Sequence, residues 1–418
     1  MTPDERLLGL ALALGRRNGG LTWPNPSVGA VVTDPDRRIL ATAATAPGGR
    51  PHAEPPALRA AGDAARGGTL YVSLEPCSHH GRTPPCTDAI IASGVARVVT
   101  AVADPDPRVA GRGHALLRAA GIAVDAAVAP AAGERAHRGH FTRVRLGRPY
   151  VTIKLATTAD GYAGRLGGGR LLITEEGANA RTHMLRAHAD AVAVGIGTVL
   201  ADDPSLTVRL PGLEGRVPVR VVLDSRLRLP LSAGLVRRAG DWRTWVLCGE
   251  DAERDAERRL ADAGVQVLRV PPPPPVIPGL AGGESPEPRP GAPPDETLPR
   301  DGTSSVLDLG SGLSLREPRN DEGVDLPAAL RLLADRGLTH ILCEGGPALA
   351  DALAAHDLVD EFVLIRSDRP IDAGEGVPAI GPALAKALTD RVVLAGEEQV
   401  GPDCIRTYER RQPCSPAS

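Results

Sequence analysis

The chain has 418 residues, more than one hydrophobic core usually serves, so two domains are expected and a small module built on disulfides or a metal is excluded. Its 48 basic and 51 acidic residues nearly balance, and only 2% of the chain is aromatic, so neither an electrostatic nor a base-stacking surface for nucleic acid is predicted. A small-molecule partner is favoured.

The cysteine content and the apolar segments indicate the cellular compartment in which the protein is expected. Six cysteines are too few for a disulfide framework at this length, which predicts reduced thiols in the cytoplasm. The apolar segment 7–14 follows Asp4 and Glu5 and precedes Arg16 and Arg17, so it is interpreted as an amphipathic helix rather than a signal peptide. No apolar run approaches the roughly 18 residues that a membrane span needs.

The first 146 residues alternate between helical and strand patterns, which is typical of a layered α/β domain. Helices are predicted at 4–17, after His52, at 87–93 and at 113–120, and strands at 28–33, 69–74 and 97–102.

A second domain, 147–418, is predicted after the joint LGRP at 146–149 and is also α/β. Its helices are predicted at 176–188 and 347–356, and its strands at 151–156, 191–195, 219–224, 244–248, 266–270, 340–344, 361–365 and 391–395.

A proline-rich stretch interrupts the second domain. Twelve of the residues between 271 and 299 are proline, and Gly, Ser and Glu fill much of the rest to about 323. Such a composition cannot bury enough apolar area to offset its ordering entropy, so a disordered insertion at about 271–323 is predicted. The alternative is a proline-rich ligand for a partner domain.

The strongest chemical motif combines one histidine, one glutamate and two cysteines. Cys77 follows His52 by 25 positions and Cys86 follows Cys77 by nine. One imidazole and two thiolates would leave the fourth tetrahedral position of a zinc ion open for water, which indicates catalysis. Glu54 is placed to take the water proton and deliver it to a departing amine, as in zinc-dependent base deaminases.

Two alternatives remain for this motif. A structural zinc site would use Cys77, Cys86 and two of His52, His79 and His80, which closes the metal shell but leaves Glu54 unexplained. The other alternative is a coincidence without metal. The roles of His79 and His80 stay open.

Other polar residues are weaker candidates. Asn25, between two prolines, would present a rigid amide to a flat heterocycle, although it is nearly as well explained as an ordinary turn residue. The turns at 195–198 and 344–347 are suited to phosphate groups, but neither matches the Rossmann pattern, and each alone is an ordinary tight turn. Arg186 and Arg209 are candidates for a substrate phosphate, with a surface arginine as the alternative.

The first half of the chain resembles the deaminase part of the bifunctional riboflavin-biosynthesis deaminase/reductases. The segments that carry the resemblance are PNPSVGAVV, PHAE, YVSLEPCSHHGRTPPC and DPDPRVAGRG, in that order. The resemblance implies a cytidine-deaminase-like α/β/α fold, zinc on His52, Cys77 and Cys86, and Glu54 as proton shuttle. It also implies that a diaminopyrimidinone ribosylamino 5′-phosphate loses ammonia. Asn25 is a predicted contact of this substrate on the local grounds given above.

The second half resembles the reductase part of the same family through segments that include GIGTVLADDPSLTVR and EGGP. This implies a dihydrofolate-reductase-like fold that uses NADPH to reduce the ribosyl chain to ribityl. Lys154 and Asp202 would lie near hydride transfer. The implied NADPH contacts are Ala156, Leu172, Thr198, Asp202, Ser225, Gly346, Pro347, Ala348, Leu349, Ala350, Asp351 and Ala352, and the implied substrate contacts are Arg170, Arg186, Leu206, Arg209 and Glu344.

Arg170 and Leu172 depart from the family pattern, in which a serine and a tryptophan are common at these positions. They motivate an alternative in which the second domain has lost reduction and serves only assembly. A further alternative is a zinc-stabilised interaction protein that uses the proline-rich segment. The family resemblance also predicts a homo-oligomer.

Overall fold

The computed structural model describes residues 1–81, 83–165, 171–271, 324–371 and 376–411. Arg170 and the predicted insertion, apart from residue 271, lie outside these ranges. The described strands form a five-stranded sheet, a nine-stranded sheet and a two-stranded ribbon. The predicted boundary at 146/147 falls in the connection between the first two sheets. Every helix in the described ranges is too short or too polar to cross a bilayer.

The first sheet has the order β2-β1-β3-β4-β5, with β1 antiparallel to both neighbours and β3, β4 and β5 parallel. The elements, in chain order, are α1 (Pro3–Arg16), β1 (Gly29–Thr33), β2 (Ile39–Ala44), α2 (Glu54–Ala61), β3 (Thr69–Val72), α3 (Cys86–Ser93), β4 (Arg97–Thr100), α4 (Arg112–Ala119), β5 (Ala123–Asp125), α5 (Pro130–Ala136) and α6 (Arg138–Leu146).

Helices cover both faces of this sheet because successive strand residues point to opposite sides. Val31 of β1 faces a core built with α1 and α5, whereas Ala30 and Val32 face a core that includes Leu58 of α2 and Ile90 of α3. The result is the predicted three-layer α/β/α arrangement.

The second sheet has the order β11-β10-β9-β8-β12-β6-β13-β16-β15, and its first seven strands are parallel. Its elements, with those of the β7–β14 ribbon, are β6 (Tyr150–Thr157), β7 (Tyr162–Arg165), α7 (Glu176–His188), β8 (Ala191–Gly195), α8 (Ile196–Asp202), β9 (Val219–Leu223), α9 (Gly234–Arg237), β10 (Thr244–Cys248), α10 (Arg254–Asp262), β11 (Gln266–Arg269), α11 (Leu326–Asp335), β12 (His340–Cys343), α12 (Pro347–Ala355), β13 (Glu361–Arg366), β14 (Gly376–Pro378), α13 (Pro382–Asp390), β15 (Val392–Val400) and β16 (Asp403–Arg410).

The predicted strands of the second domain are all present, but its carboxyl-terminal end differs from the prediction. The strand predicted at 391–395 extends to Val400, and β16 was not predicted. Residues 396–399 of β15 (GEEQ) are exposed and carry no apolar side chain, so this extension lacks the apolar signal on which the strand predictions rest. Strand β2 (ILATAA) was not predicted either, because half of its residues are alanine, which has a low strand propensity.

The two domains contact each other through α6. Arg138 donates to both carboxylate oxygens of Glu361 on β13, at 2.7 and 3.3 Å. Arg143 donates to the carbonyl oxygen of Ala334 in the last turn of α11, at 2.9 Å. A cleft of about 910 Å³ lies between the domains and is lined by residues of both.

Candidate active sites

Three side chains predicted to bind zinc meet where two helices begin. His52 lies just before α2, Cys77 in the loop after β3, and Cys86 at the first position of α3. His52 Nδ1 is 3.6 Å from Cys77 Sγ and 3.4 Å from Cys86 Sγ. Tetrahedral bonds of ordinary length to zinc place nitrogen and sulfur ligands about 3.6 Å apart, so the donor set fits this ion.

Hydrogen bonding favours a thiolate at this site. The hydrogen bond from the Cys86 thiol is the main reason that the pKa of Cys77 falls to about 4. The Cys86 backbone amide also donates a hydrogen bond to Cys77 Sγ, at 3.3 Å. Among the described residues, the potential ligand group contains His52, Cys77 and Cys86 but neither His79 nor His80. This three-residue set agrees with the predicted open coordination position rather than with a closed structural site.

Glu54 lies beside the ligands and is not one of them. It is the first residue of α2, only 3% exposed, and its Oε2 has no hydrogen-bond partner among the described residues. Burial raises the pKa of Glu54, and the negative charge of Cys77 raises it further. Such a carboxyl group is suited to exchange a proton with a reactant.

Glu75 anchors the loop that carries Cys77, and the sequence analysis missed it. Its carboxylate accepts backbone amide hydrogens from Asp104, Gly111 and His114 at 3.0–3.3 Å. A side chain at Gly113 would clash with the carbonyl oxygen of Pro76, which explains the glycine. The only sequence signal for Glu75 was its place two residues before Cys77.

Asn25 lies in a tight turn and lines the interdomain cleft. Its Nδ2 donates to the carbonyl oxygen of Gly49 at 3.0 Å, and its backbone amide donates to Thr22. The cleft is also lined by His140, which contacts Asp104 at 2.9 Å and was not predicted as a site residue.

The predicted NADPH contacts lie on four neighbouring parallel strands. Ala156 is on β6, and Gly346, Thr198 and Ser225 follow β12, β8 and β9, which are consecutive in the sheet. The Gly346 amide donates to Thr198 Oγ1 at 3.2 Å, so two of these turns are in direct contact. Ser225 Oγ is buried and has no partner among the described residues, and a Cβ at Gly197 would meet only open space. These features fit a dinucleotide along the carboxyl edge of the sheet.

The contacts predicted on α12 are not equivalent. Gly346 is the N-cap of this helix, and Ala348 is exposed in its first turn. Ala350 is fully buried in the core, whereas Asp351 accepts the Leu384 amide at 2.8 Å and so caps α13. Pro347, Leu349 and Ala352 are partly exposed.

A buried ion pair joins two residues predicted to contact substrate. Arg186 of α7 donates through Nε and Nη2 to the two carboxylate oxygens of Glu344, at 2.5 and 2.8 Å. Its Nη1 donates to the Thr207 carbonyl oxygen at 2.9 Å. Burial opposes ionisation of Glu344, but Arg186 and Lys154 hold its pKa below the ordinary value. Burial is also the main cause that lowers the pKa of Lys154.

The remaining predicted contacts of the second domain differ in exposure. Arg209 is exposed and donates to Ser205 Oγ at 2.6 Å, and Asp202 is exposed at the end of α8. Leu172 is 71% exposed. Leu206 is only 2% exposed and packs in the core with a φ of 52°, so it shapes this loop, and its contact with substrate stays a prediction.

Comparisons with known proteins identify the family of each domain. Residues 1–102 match the family model of the cytidine and deoxycytidylate deaminase zinc-binding region, and residues 149–404 match that of the RibD C-terminal domain. The riboflavin biosynthesis protein RibD of Escherichia coli (strain K12) is 34% identical over 413 residues, which cover 96% of this chain and 97% of the relative. That of Aquifex aeolicus is 44% identical over 265 residues, which cover 63% of this chain and 73% of the relative.

Two solved structures extend the similarity across the whole chain. Acinetobacter baumannii RibD, form 1, has a TM-score of 0.77 at 29% identity and covers 98% of this chain and 99% of its own. The deaminase/reductase of Thermotoga maritima has a TM-score of 0.74 at 28% identity with the same coverage. The predicted family and fold class are confirmed. The chain belongs to the RibD family, the bifunctional riboflavin-biosynthesis enzymes that join a zinc-dependent deaminase to an NADPH-dependent reductase.

Proposed function

We propose that this chain removes ammonia from 2,5-diamino-6-(5-phosphoribosylamino)pyrimidin-4-one and then reduces the ribosyl side chain of the product to ribityl. The solved Thermotoga maritima structure is named for a deaminase of a diaminohydroxyphosphoribosylaminopyrimidine and a reductase of 5-amino-6-(5-phosphoribosylamino)uracil. The observation that carries the proposal is a buried Glu54 carboxylate beside three converging metal-ligand side chains.

In the first domain, we propose that Glu54 moves the proton. Zinc, when bound by His52, Cys77 and Cys86, makes a water molecule acidic enough to act as a nucleophile at neutral pH. Glu54 accepts a proton from that water and delivers it to the departing amino nitrogen. The water oxygen forms a bond to the ring carbon, the carbon–nitrogen bond breaks and ammonia leaves. Asn25 binds the pyrimidine.

In the second domain, we propose that the carboxyl edge of the sheet holds the cofactor. NADPH, when bound, would supply the hydride: after the C1′–O4′ bond breaks and the sugar opens to an imine-like form, the hydride would add to C1′ and a proton from solvent would go to the attached nitrogen. Arg186 and Glu344 position the substrate through their ion pair, and Arg209 contacts its phosphate. The cofactor contacts carried by this proposal are Ala156, Thr198, Ser225, Gly346 and the exposed or partly exposed residues Pro347, Ala348, Leu349 and Ala352.

Glu54→Gln tests the first step. The variant keeps the size of the side chain but cannot accept a proton, so ammonia release should stop while zinc content and NADPH oxidation with the deaminated intermediate persist. Unchanged ammonia release would contradict the proposed role. Mass spectrometry of the products with and without NADPH separates the two steps, and deamination without NADPH oxidation would favour the alternative of an inactive second domain.

We further propose, on family resemblance and cysteine content alone, that the chain is a cytoplasmic homo-oligomer. Light scattering coupled to size-exclusion chromatography measures the oligomeric mass directly, and a monomer at micromolar concentration would contradict the assembly.

A further inference from the structure

We propose that Trp23, which is held by the reductase domain, is a positioning residue that fixes Asn25 for pyrimidine binding in the deaminase site. The inference rests on the role of Asn25 proposed above. It makes the reductase domain part of the deaminase machinery, although no histidine, cysteine or acidic residue in the described part of that domain belongs to the ligand group of His52, Cys77 and Cys86.

Trp23 belongs to the first domain but packs against the core of the second domain. Its ring lies against the core cluster formed by strands β6, β8, β9, β10 and β12 with helices α11 and α12. The centroids of Trp23 and Trp245 are 6.4 Å apart at an interplanar angle of 86°, an edge-to-face contact. The guanidinium of Arg243 lies 5.6 Å from the Trp23 ring centroid.

The backbone of the reductase domain also lies close to Pro24, the residue after Trp23. Gly337 has a φ of 100°, and a Cβ built on it would lie 2.9 Å from Pro24 Cβ and 3.5 Å from Trp23 Cε3. Arg143 of α6 donates to the carbonyl oxygens of Ala334 and Pro24, at 2.9 and 3.5 Å. Trp23 and Pro24, the two residues before Asn25, therefore both contact the reductase domain, and α6 of the deaminase domain links Pro24 to α11.

Hydrogen bonds connect the turn at residues 22–25 to the segment that precedes the predicted zinc ligand His52. The Asn25 backbone amide donates to the Thr22 carbonyl oxygen, and Thr22 Oγ1 donates to the Asn25 carbonyl oxygen at 3.0 Å. Asn25 Nδ2 donates to the carbonyl oxygen of Gly49, and a Cβ at Gly49 would lie only 2.5 Å from that nitrogen. Gly49 stands three residues before His52. A shift of Trp23 is thus transmitted through a rigid turn to an amide packed against the segment that carries a zinc ligand.

Trp23→Ala, Trp23→Phe and Gly337→Ala test the inference in the full-length zinc enzyme. Trp23→Ala should raise the KM for ammonia release about tenfold, the loss expected when one hydrogen bond is no longer aligned. The kcat, the zinc content and NADPH oxidation with the deaminated intermediate should stay near wild type. Trp23→Phe keeps an edge-to-face contact and should restore most of the KM.

Gly337→Ala pushes on Pro24 from the reductase side without changing any residue of the deaminase domain, and it has a matched control. Gly264 has a φ of 86° and ends α10 with the same pair of backbone hydrogen bonds as Gly337 at the end of α11, but a Cβ built on Gly264 would meet nothing closer than 3.7 Å. Gly337→Ala should raise the deaminase KM, whereas Gly264→Ala, with the same backbone strain, should not.

The outcomes separate this inference from the proposal on which it rests. If Asn25→Ala raises the KM while Trp23→Ala and Gly337→Ala do not, the positioning role is wrong and the substrate role of Asn25 stands. If Asn25→Ala also leaves the KM unchanged, both are wrong. An equal loss of zinc, kcat and reductase activity in Trp23→Ala and Gly337→Ala would show a general structural role and would overturn the inference.

Discussion

Arg186 and Glu344 form a two-point ion pair beneath the carboxyl edge of the second sheet, and only 12% and 10% of their side chains are exposed. Arg186 uses its remaining terminal nitrogen on the Thr207 carbonyl oxygen. Arg186, which is proposed to bind substrate, therefore uses several of its hydrogen-bond donors within the protein. This arrangement fixes the guanidinium in place and keeps Glu344 charged beside Lys154.

The first prediction is that Glu344→Gln impairs reduction and spares deamination. The amide keeps the shape of the side chain but leaves the buried Arg186 without its counter-charge, a change that costs about 3 kcal/mol when a buried pair loses one partner. We expect the kcat/KM for NADPH oxidation to fall at least about tenfold. Steady-state rates of both half-reactions measure this.

The matched control for this prediction lies on the same helix. Arg181 of α7 forms an ion pair with Glu398, and both side chains are about half exposed. Exposed pairs contribute little to stability, so Arg181→Gln should change neither rate. Equal losses in Arg181→Gln and Glu344→Gln would contradict a specific role for the buried pair.

The second prediction separates two residues of the predicted NADPH site. Thr198 Oγ1 accepts the Gly346 amide between the two turns, whereas Asp351 caps α13 through the Leu384 amide. Thr198→Val should raise the KM for NADPH with little loss of stability. Asp351→Ala should instead destabilise the second domain by about 1 kcal/mol, because the first-turn amide of Leu384 in α13 would lose its side-chain acceptor. Cofactor titration and thermal melting test the two variants. A lower melting temperature of Thr198→Val with an unchanged KM for NADPH would contradict the cofactor role of Thr198.

These two residues also show how far the sequence analysis could go. The family followed from sequence motifs, and the NADPH contacts were predicted only through the family resemblance, because the glycine turns after the strands are by themselves ordinary tight turns. The orientation of Asp351 could not be predicted from the sequence, because its hydrogen-bond partner lies on a helix 33 residues further along the chain. Helix α12 presents successive residues to different neighbours, so a continuous range such as 346–352 combines cofactor, core and capping positions.

The zinc site was predictable for a different reason. His52, Cys77 and Cys86 have side chains that are seldom arranged together without a metal, and Glu54 follows at a short fixed spacing. Glu75, which anchors the Cys77 loop, has no such signal, because its three partners are backbone amides that any sequence would supply. The same limit applies to Trp23, whose partners Trp245 and Gly337 are distant in sequence.

The third prediction concerns metal removal. All members of the ligand group come from the first domain, so a chelator should abolish ammonia release without changing NADPH oxidation when the deaminated intermediate is supplied. Added zinc should restore ammonia release. A parallel loss of reduction would mean that the metal supports the second domain as well, contrary to the separation of the two sites.

The fourth prediction is that the enzyme loses stability in mild acid through two buried histidines at the domain junction. Burial is the main cause that lowers the pKa of both His137 and His340 from 6.5 to about 4. His137 Nε2 lies 3.1 Å from the Ser73 carbonyl oxygen, and His340 Nε2 lies 2.9 Å from Thr152 Oγ1. Both side chains therefore stay neutral in the native state over a range in which the unfolded chain binds protons.

The sign follows from that difference in proton binding. Between pH 6.5 and about 4 the unfolded state holds more protons at these two positions, so the free energy of unfolding falls as the pH falls. By about pH 5 each histidine should have removed about 2 kcal/mol of stability. Urea unfolding of the wild type and of His137→Gln and His340→Gln, at neutral pH and at about pH 5, measures the effect. Each variant should lose less stability on acidification than the wild type, even where it is less stable at neutral pH, and identical pH dependence in all three proteins would contradict the assignment.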